Sequence, residues 1–208
     1  TSAATEGVVV NVNDAPSGSV TISGTTAEGE VLTAANTLAD EDVMGTITYT
    51  WSNGATGSTT TLGQSDVGSA LTVTATYTDG QGSGESVTSA ATEGVVVNVN
   101  DAPSGSVTIS GTATEDETLT AVTGTIVDED GLGSFSYQWN RAGIAISGAT
   151  SASYTQTQAD VGSVLTVTAS YTDAQSTGES LTSAATSSVA NVNDAPSGSV
   201  TISGTATE

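Results

Sequence analysis

Apolar and polar positions alternate along most of this chain with a period of two, the spacing that puts successive side chains on opposite faces of a strand. Val107 and Ile109 alternate with Ser and Thr and predict a first strand, and Glu117 to Val122 predicts a second. Phe135, Tyr137 and Trp139 share one face of a third, with Ser134, Ser136 and Gln138 on the other. After a turn at Arg141-Ala142-Gly143 come Ile144 and Ile146, then a short strand around Tyr154. Leu165, Val167, Ala169 and Tyr171, alternating with Thr166, Thr168 and Ser170, form the clearest strand, and Leu181 to Val192 closes the set. An earlier stretch follows the same plan, with Ile47, Tyr49 and Trp51, then Leu71, Val73, Ala75 and Tyr77; it is shorter because the turn region 52–59 lacks residues present around 140–152. Helical periodicity is almost absent. About seven strands per ~90 residues, with turns at regular spacing, predict an all-β chain of antiparallel β-sandwiches.

The plan repeats because the sequence does. Asn-Val-Asn-Asp-Ala-Pro-Ser-Gly-Ser-Val-Thr-Ile-Ser-Gly-Thr begins at Asn11, Asn98 and Asn191 without a substitution. Copies 87 and 93 positions apart leave room for one small sandwich each. The expected organisation is therefore a last strand over 1–13, β-sandwich repeats over 14–100 and 101–193, and a first strand of a further repeat over 194–208. The opening residues 1–5 repeat 88–92, which reads as a window on a longer tandem array. Each joint is short, acidic and stiffened by proline, which fixes φ and restrains its predecessor. An elongated rod is the expected shape.

Charge narrows the partners. The chain carries 23 acidic residues, one Arg (Arg141), no Lys and no His, for a net charge of −22. Such a surface repels phosphate backbones and anionic lipid, so neither nucleic acid nor membrane insertion is expected. Self-repulsion of this size opposes compactness unless counter-ions relieve it, which points to divalent cations. There is no Cys to form a disulfide and no Lys to form an isopeptide crosslink. Without His, Cys or Lys there is no ordinary base for a nucleophilic Ser and no soft ligand set for zinc. The expectation is a protein that is not an enzyme, with no catalytic residues.

Several motifs carry a resemblance. A Trp in the third strand followed by Asp160-x-Gly162 resembles the immunoglobulin pattern, although both framework cysteines are missing and Val164 stands at the usual corner-tyrosine position. In combination, Tyr137-Gln138-Trp139-Asn140-Arg141, Ile146 to Thr150, Tyr154, Gln158 to Ser163 and Asn191 to Pro196 resemble the tandem immunoglobulin-like, cadherin-like extender repeats of large secreted bacterial adhesins of the repeats-in-toxin and biofilm-associated kinds. The resemblance implies an extracellular or cell-surface structural segment, stiffened by Ca²⁺, whose partners are neighbouring repeats and other copies of the fibre.

Laid on the immunoglobulin plan, the acidic clusters fall at the repeat junctions. One end of the second repeat supplies Asp128, Glu129, Asp130 and Asp173, the far end of the first supplies Glu28, Glu30 and Asp66, and the linker supplies Asn98, Asn100 and Asp101. This resembles the Ca²⁺ junctions of cadherins, with Asn98 in place of a first Asp and Ala102 in place of a last Asn. Ca²⁺ is a hard ion that takes six to eight oxygens, roughly what such a set offers. Asp40-Glu41-Asp42 repeats the Asp-x-Asp motif in the first unit. The competing reading makes these residues solvated turn formers. Trp51 and Trp139 share a face with their apolar neighbours and are expected in the cores, against sugar stacking. Two other functions remain open: glycan or protein binding by each repeat, and fibre assembly by strand exchange.

Overall fold

The computed structural model describes residue 10, residues 12–206 and residue 208. The strand expected over 1–13 lies largely outside the described residues. The chain divides into two compact units, Thr1–Asn100 and Asp101–Glu208, and among the described residues the regular elements are strands apart from two short 3-10 turns.

In the first unit, β1 (Val20–Ser23), β2 (Val31–Asn36) and β4 (Thr59–Thr61) form one sheet, ordered β1-β2-β4. The other contains β3 (Thr48–Trp51), β5 (Val73–Thr78) and β6 (Gly84–Thr88), ordered β3-β5-β6. The strands within each sheet pair antiparallel, with Trp51 opposite Val73 and Tyr49 opposite Ala75. Because the period is two, this register turns Trp51, Val73, Ala75 and Tyr77 inward together, onto Leu32, Leu62 and Val96. Both expectations for the tryptophans hold: Trp51 is 2% exposed and Trp139 0%, so neither offers a face to a sugar. Each indole N–H is satisfied by a carbonyl of the next turn, Gly57 O at 3.0 Å and Ser151 O at 2.9 Å.

The second unit repeats the arrangement with seven strands: β7 (Thr108–Ser110), β8 (Thr118–Val122), β9 (Ser136–Arg141), β10 (Ile144–Ala145), β11 (Ser153–Thr155), β12 (Leu165–Thr172) and β13 (Gly178–Thr182). They form the sheets β11-β8-β7 and β10-β9-β12-β13. The extra strand, β10, is the return of a two-residue hairpin at Ala142-Gly143, whose φ values of 46° and 83° are those of a primed turn.

The closing strand differs from expectation. The sequence places one strand over Leu181 to Val192, whereas regular pairing ends at Thr182; the chain then follows β12 and its lead-in irregularly and changes partner only at Ala190. Ser183, Thr186 and Val189 donate backbone N–H groups to Val167, Leu165 and Ser163, after which Ala190 donates to Ala113, all at 2.9 Å. A strand that crosses from one sheet edge to the other cannot keep a continuous ladder. The third linker copy, expected to open a first strand, has no strand pairing among the described residues. Val200 and Ile202 are each 98% exposed.

Glycines set the acidic ends. A Cβ on Gly133 would lie 2.0 Å from the Thr172 carbonyl oxygen, and one on Gly45 would lie 2.2 Å from Thr78 O. Only glycine lets each Asp-x-Asp loop run this close to the end of β12 or β5.

Candidate metal centre

At the end of the second unit where its chain begins, four aspartates are fixed by backbone and by one another. Asp128 Oδ1 accepts the N–H of Asp130 at 2.9 Å, a local turn bond, and Asp128 Oδ2 accepts the hydroxyl of Tyr171. Burial, then this hydrogen bond, holds the Tyr171 phenol well above its ordinary range. Asp130 is buried, and its Oδ2 accepts the Asp101 N–H at 2.8 Å. A carboxylate oxygen of Asp101 also lies within 4.8 Å of one of Asp130. Asp173 is tied to the same loop, since Ala174 donates its N–H to Asp130 O at 3.1 Å.

The Asp173 carboxylate is the informative one. Its Oδ1 accepts two backbone N–H groups, from Gln175 at 2.9 Å and Thr177 at 2.7 Å. Its Oδ2 is buried with no hydrogen-bond partner, in a side chain only 6% exposed. A buried carboxylate oxygen without a donor is costly, and a cation is the usual remedy. The single Arg of the chain does not serve here, being paired with Asp160. Carboxylates and carbonyls with no nitrogen or sulfur suit Ca²⁺.

The first unit carries the same set at Asp14, Asp40, Asp42 and Asp79. Asp40 Oδ1 accepts the Asp42 N–H at 2.9 Å, and Tyr77 donates to Asp40 Oδ2 at 2.6 Å. Asp42 Oδ2 accepts the Asp14 N–H at 2.9 Å, and Gly80 donates to Asp42 O at 2.9 Å. Asp79 Oδ1 accepts from Gln81 and Ser83, both at 2.8 Å, while its Oδ2 is again buried and without a partner. Asp14 and Asp79 are absent from the sequence-derived ligand set. Both were findable: Asp14 is the linker position of Asp101, and Asp79 follows Tyr77 by two residues as Asp173 follows Tyr171.

The opposite ends behave differently. Glu28 Oε2 accepts the Val99 N–H at 3.3 Å, and its counterpart Glu115, 3% exposed, accepts Val192 N–H at 3.1 Å. These glutamates grip the outgoing chain. Glu30 is exposed, as is Asn100, and Asn98 keeps its side-chain oxygen without a hydrogen-bond partner. Asp66 is turned into its own fold: Oδ2 caps the 3-10 turn Gln64–Asp66 by accepting the Gly63 N–H at 3.1 Å, and also accepts Asn53 Nδ2 at 3.2 Å.

Asp160 stands at the same place in the second unit. It accepts Arg141 Nε at 2.6 Å, the Tyr154 hydroxyl at 2.8 Å and the Thr157 N–H at 2.7 Å. Burial alone would raise the Asp160 carboxyl, but Arg141 and these hydrogen bonds outweigh it and hold it below the usual range.

No protein-family model and no curated protein matches the chain. Among solved structures, it is similar to a tetra-tandem repeat from the extending region of a large adhesion protein, with 24% identity and a TM-score of 0.28 over 83% of this chain. It is also similar to the three N-terminal domains of the highly immunogenic outer capsid protein of bacteriophage RB49, with 18% identity and a TM-score of 0.26 over 80% of this chain. The chain spans 50% of the first and 59% of the second.

Proposed function

We propose that this chain is a structural extender of an extracellular bacterial adhesin or matrix fibre, and that Ca²⁺ bound at the acidic end of each sandwich stiffens it. The observation that carries the reading is the buried, partnerless Oδ2 of Asp79 and of Asp173, each tied by backbone bonds to a second buried aspartate, Asp42 or Asp130. In the second unit Asp101, Asp130 and Asp173 would hold the ion; in the first, Asp14, Asp42 and Asp79. Asp40 and Asp128 act as positioning residues, because the tyrosine hydroxyl and the loop N–H occupy both of their oxygens.

The ion supplies positive charge among carboxylates that otherwise repel one another. The chain's own residues do the rest. Asp101 is the last residue of the linker Asn98-Val99-Asn100-Asp101, so an ion shared by Asp101 and Asp130 fixes the direction in which the chain joins its sandwich. Glu28 grips the same linker at Val99. Rotations about a short linker then cost more, and bending becomes stiffer.

The test is small-angle scattering of the whole chain in millimolar Ca²⁺ and then in chelator. The expected outcome is a stiff particle that softens on chelation, with Asp173→Asn abolishing the difference. A profile indifferent to Ca²⁺ would sink the proposal and leave the aspartates as turn formers.

A further inference from the structure

Asn53-Gly54 is the one Asn-Gly step in the chain. It sits in the turn after β3, with Gly54 at φ +90° and open space around it. Asn53 stands two residues after the buried Trp51, as Arg141 stands two after Trp139. It also does the work of Arg141. Its Nδ2 donates to Asp66 Oδ2 at 3.2 Å and to Thr60 Oγ1 at 3.4 Å, while its Oδ1 accepts the Ala55 N–H at 3.1 Å. The first unit contains no Lys or Arg, so the amide is the donor that stands in for a guanidinium against this buried carboxylate.

We propose that Asn53 is a hydrolytic modification site that the folded clasp protects, and that its conversion to a carboxylate irreversibly disables the first unit. In the reaction the backbone nitrogen of Gly54 attacks Cγ of Asn53. The N–Cγ bond forms, the Cγ–Nδ2 bond breaks, and ammonia leaves with the proton from the backbone nitrogen. Water then opens the cyclic imide at either carbonyl, leaving aspartate or its backbone-lengthened isomer. No oxidant or further reactant is needed. Glycine removes the Cβ that would hinder the attack.

Two features hold this chemistry back in the native state. The Gly54 N–H is engaged with Trp51 O at 2.9 Å, and the Asn53 side chain is fixed by three hydrogen bonds. When the unit opens, both restraints are lost together. The product then faces Asp66 carboxylate to carboxylate, with no Lys or Arg of its own unit to separate them, and the like charges push the clasp apart. In the second unit the same position is an Arg, which cannot undergo this reaction. The modification would therefore mark and retire one repeat while sparing its neighbour.

The experiment incubates the full chain at mildly alkaline pH, folded and in urea, and follows the Asn53 peptide by mass spectrometry. The expected result is conversion at least about ten times faster in urea, because native-state reaction waits on local opening. In parallel, Asn53→Asp should slow hydrogen exchange less than wild type does in β3 and β5, and Asn53→Asp/Asp66→Asn should restore protection by exchanging the two groups. Equal conversion rates in folded and unfolded protein would overturn the protective role. Unchanged protection in Asn53→Asp, or failure of the double variant to restore it, would overturn the disabling role.

Discussion

At the scale of single residues, the two units show alternative solutions to one crowding problem. Where the Asp-x-Asp loop meets the turn after the long strand, the first unit has Val43 facing Gly80 and the second has Gly131 facing Ala174. Val43 and Gly131 both take positive φ, 72° and 89°. A β-branched residue there is strained, so Val43→Gly should stabilise the first unit by about 1 kcal/mol, read by hydrogen exchange in β5. A Cβ on Gly80 would lie 2.6 Å from Asp42 O and 3.4 Å from Val43 Cβ. Gly80→Ala should therefore cost about 2 kcal/mol, and the pair Val43→Gly/Gly80→Ala should cost less than the separate effects predict, because the sites share one space.

At the scale of elements, alternation exposes what is buried on one side and paired locally. The strands holding Trp51, Trp139, Val73 and Val167 could be read for that reason. Gly84–Thr88 could not, and of Gly178–Thr182 only the end from Leu181 could: glycine, glutamate and serine give no apolar rhythm, and these strands exist because β5 and β12 offer them an edge. The site divides in the same way. Asp128, Asp130 and Asp173 stand out as acids in turns, but whether an acid faces solvent, a loop amide or its own core depends on long-range packing. Asp66 and Asp160 look like their neighbours in sequence and turn inward because a 3-10 turn needs an acceptor.

The Asp160 cluster also has a pH signature. Its folded carboxyl is held below the ordinary aspartate value, so its stabilisation is complete above that value and is lost as pH falls through the folded one. Acid unfolding should accordingly begin below about pH 4 for this contribution. Asp160→Ala should cost the second unit about 3 kcal/mol by denaturant titration and flatten that acid limb. The tyrosines act at the other extreme. Tyr77 and Tyr171 have phenols raised by burial and by their aspartate partners, so their contribution is full below the ordinary tyrosine value and fades as pH climbs toward the folded one. Alkaline unfolding should set in above about pH 10, and Tyr77→Phe with Tyr171→Phe should shift it upward.

For the whole molecule, a net charge of −22 makes stability depend on what neutralises it. Buried Asp79 and Asp173 sharpen the dependence into a sign change. In chelator, Asp173→Asn removes an uncompensated buried charge and should raise the thermal midpoint of the second unit. In millimolar Ca²⁺ the wild type should gain about 2–3 kcal/mol once the ion exceeds its dissociation constant a hundredfold, and the variant should gain little. Calorimetry in the two buffers reads both halves.

The Arg141–Asp160 bond has one more consequence. A protease that cuts after lysine or arginine has a single target in all 208 residues. That target is an arginine whose Nε is held by a buried carboxylate, so its side chain cannot enter a specificity pocket while the bond stands. Trypsin would leave the folded chain whole and, once the second unit opened, divide it once between Arg141 and Ala142. Against proteases of that one specificity, the near absence of basic residues leaves a single gap, and the fold locks it from within.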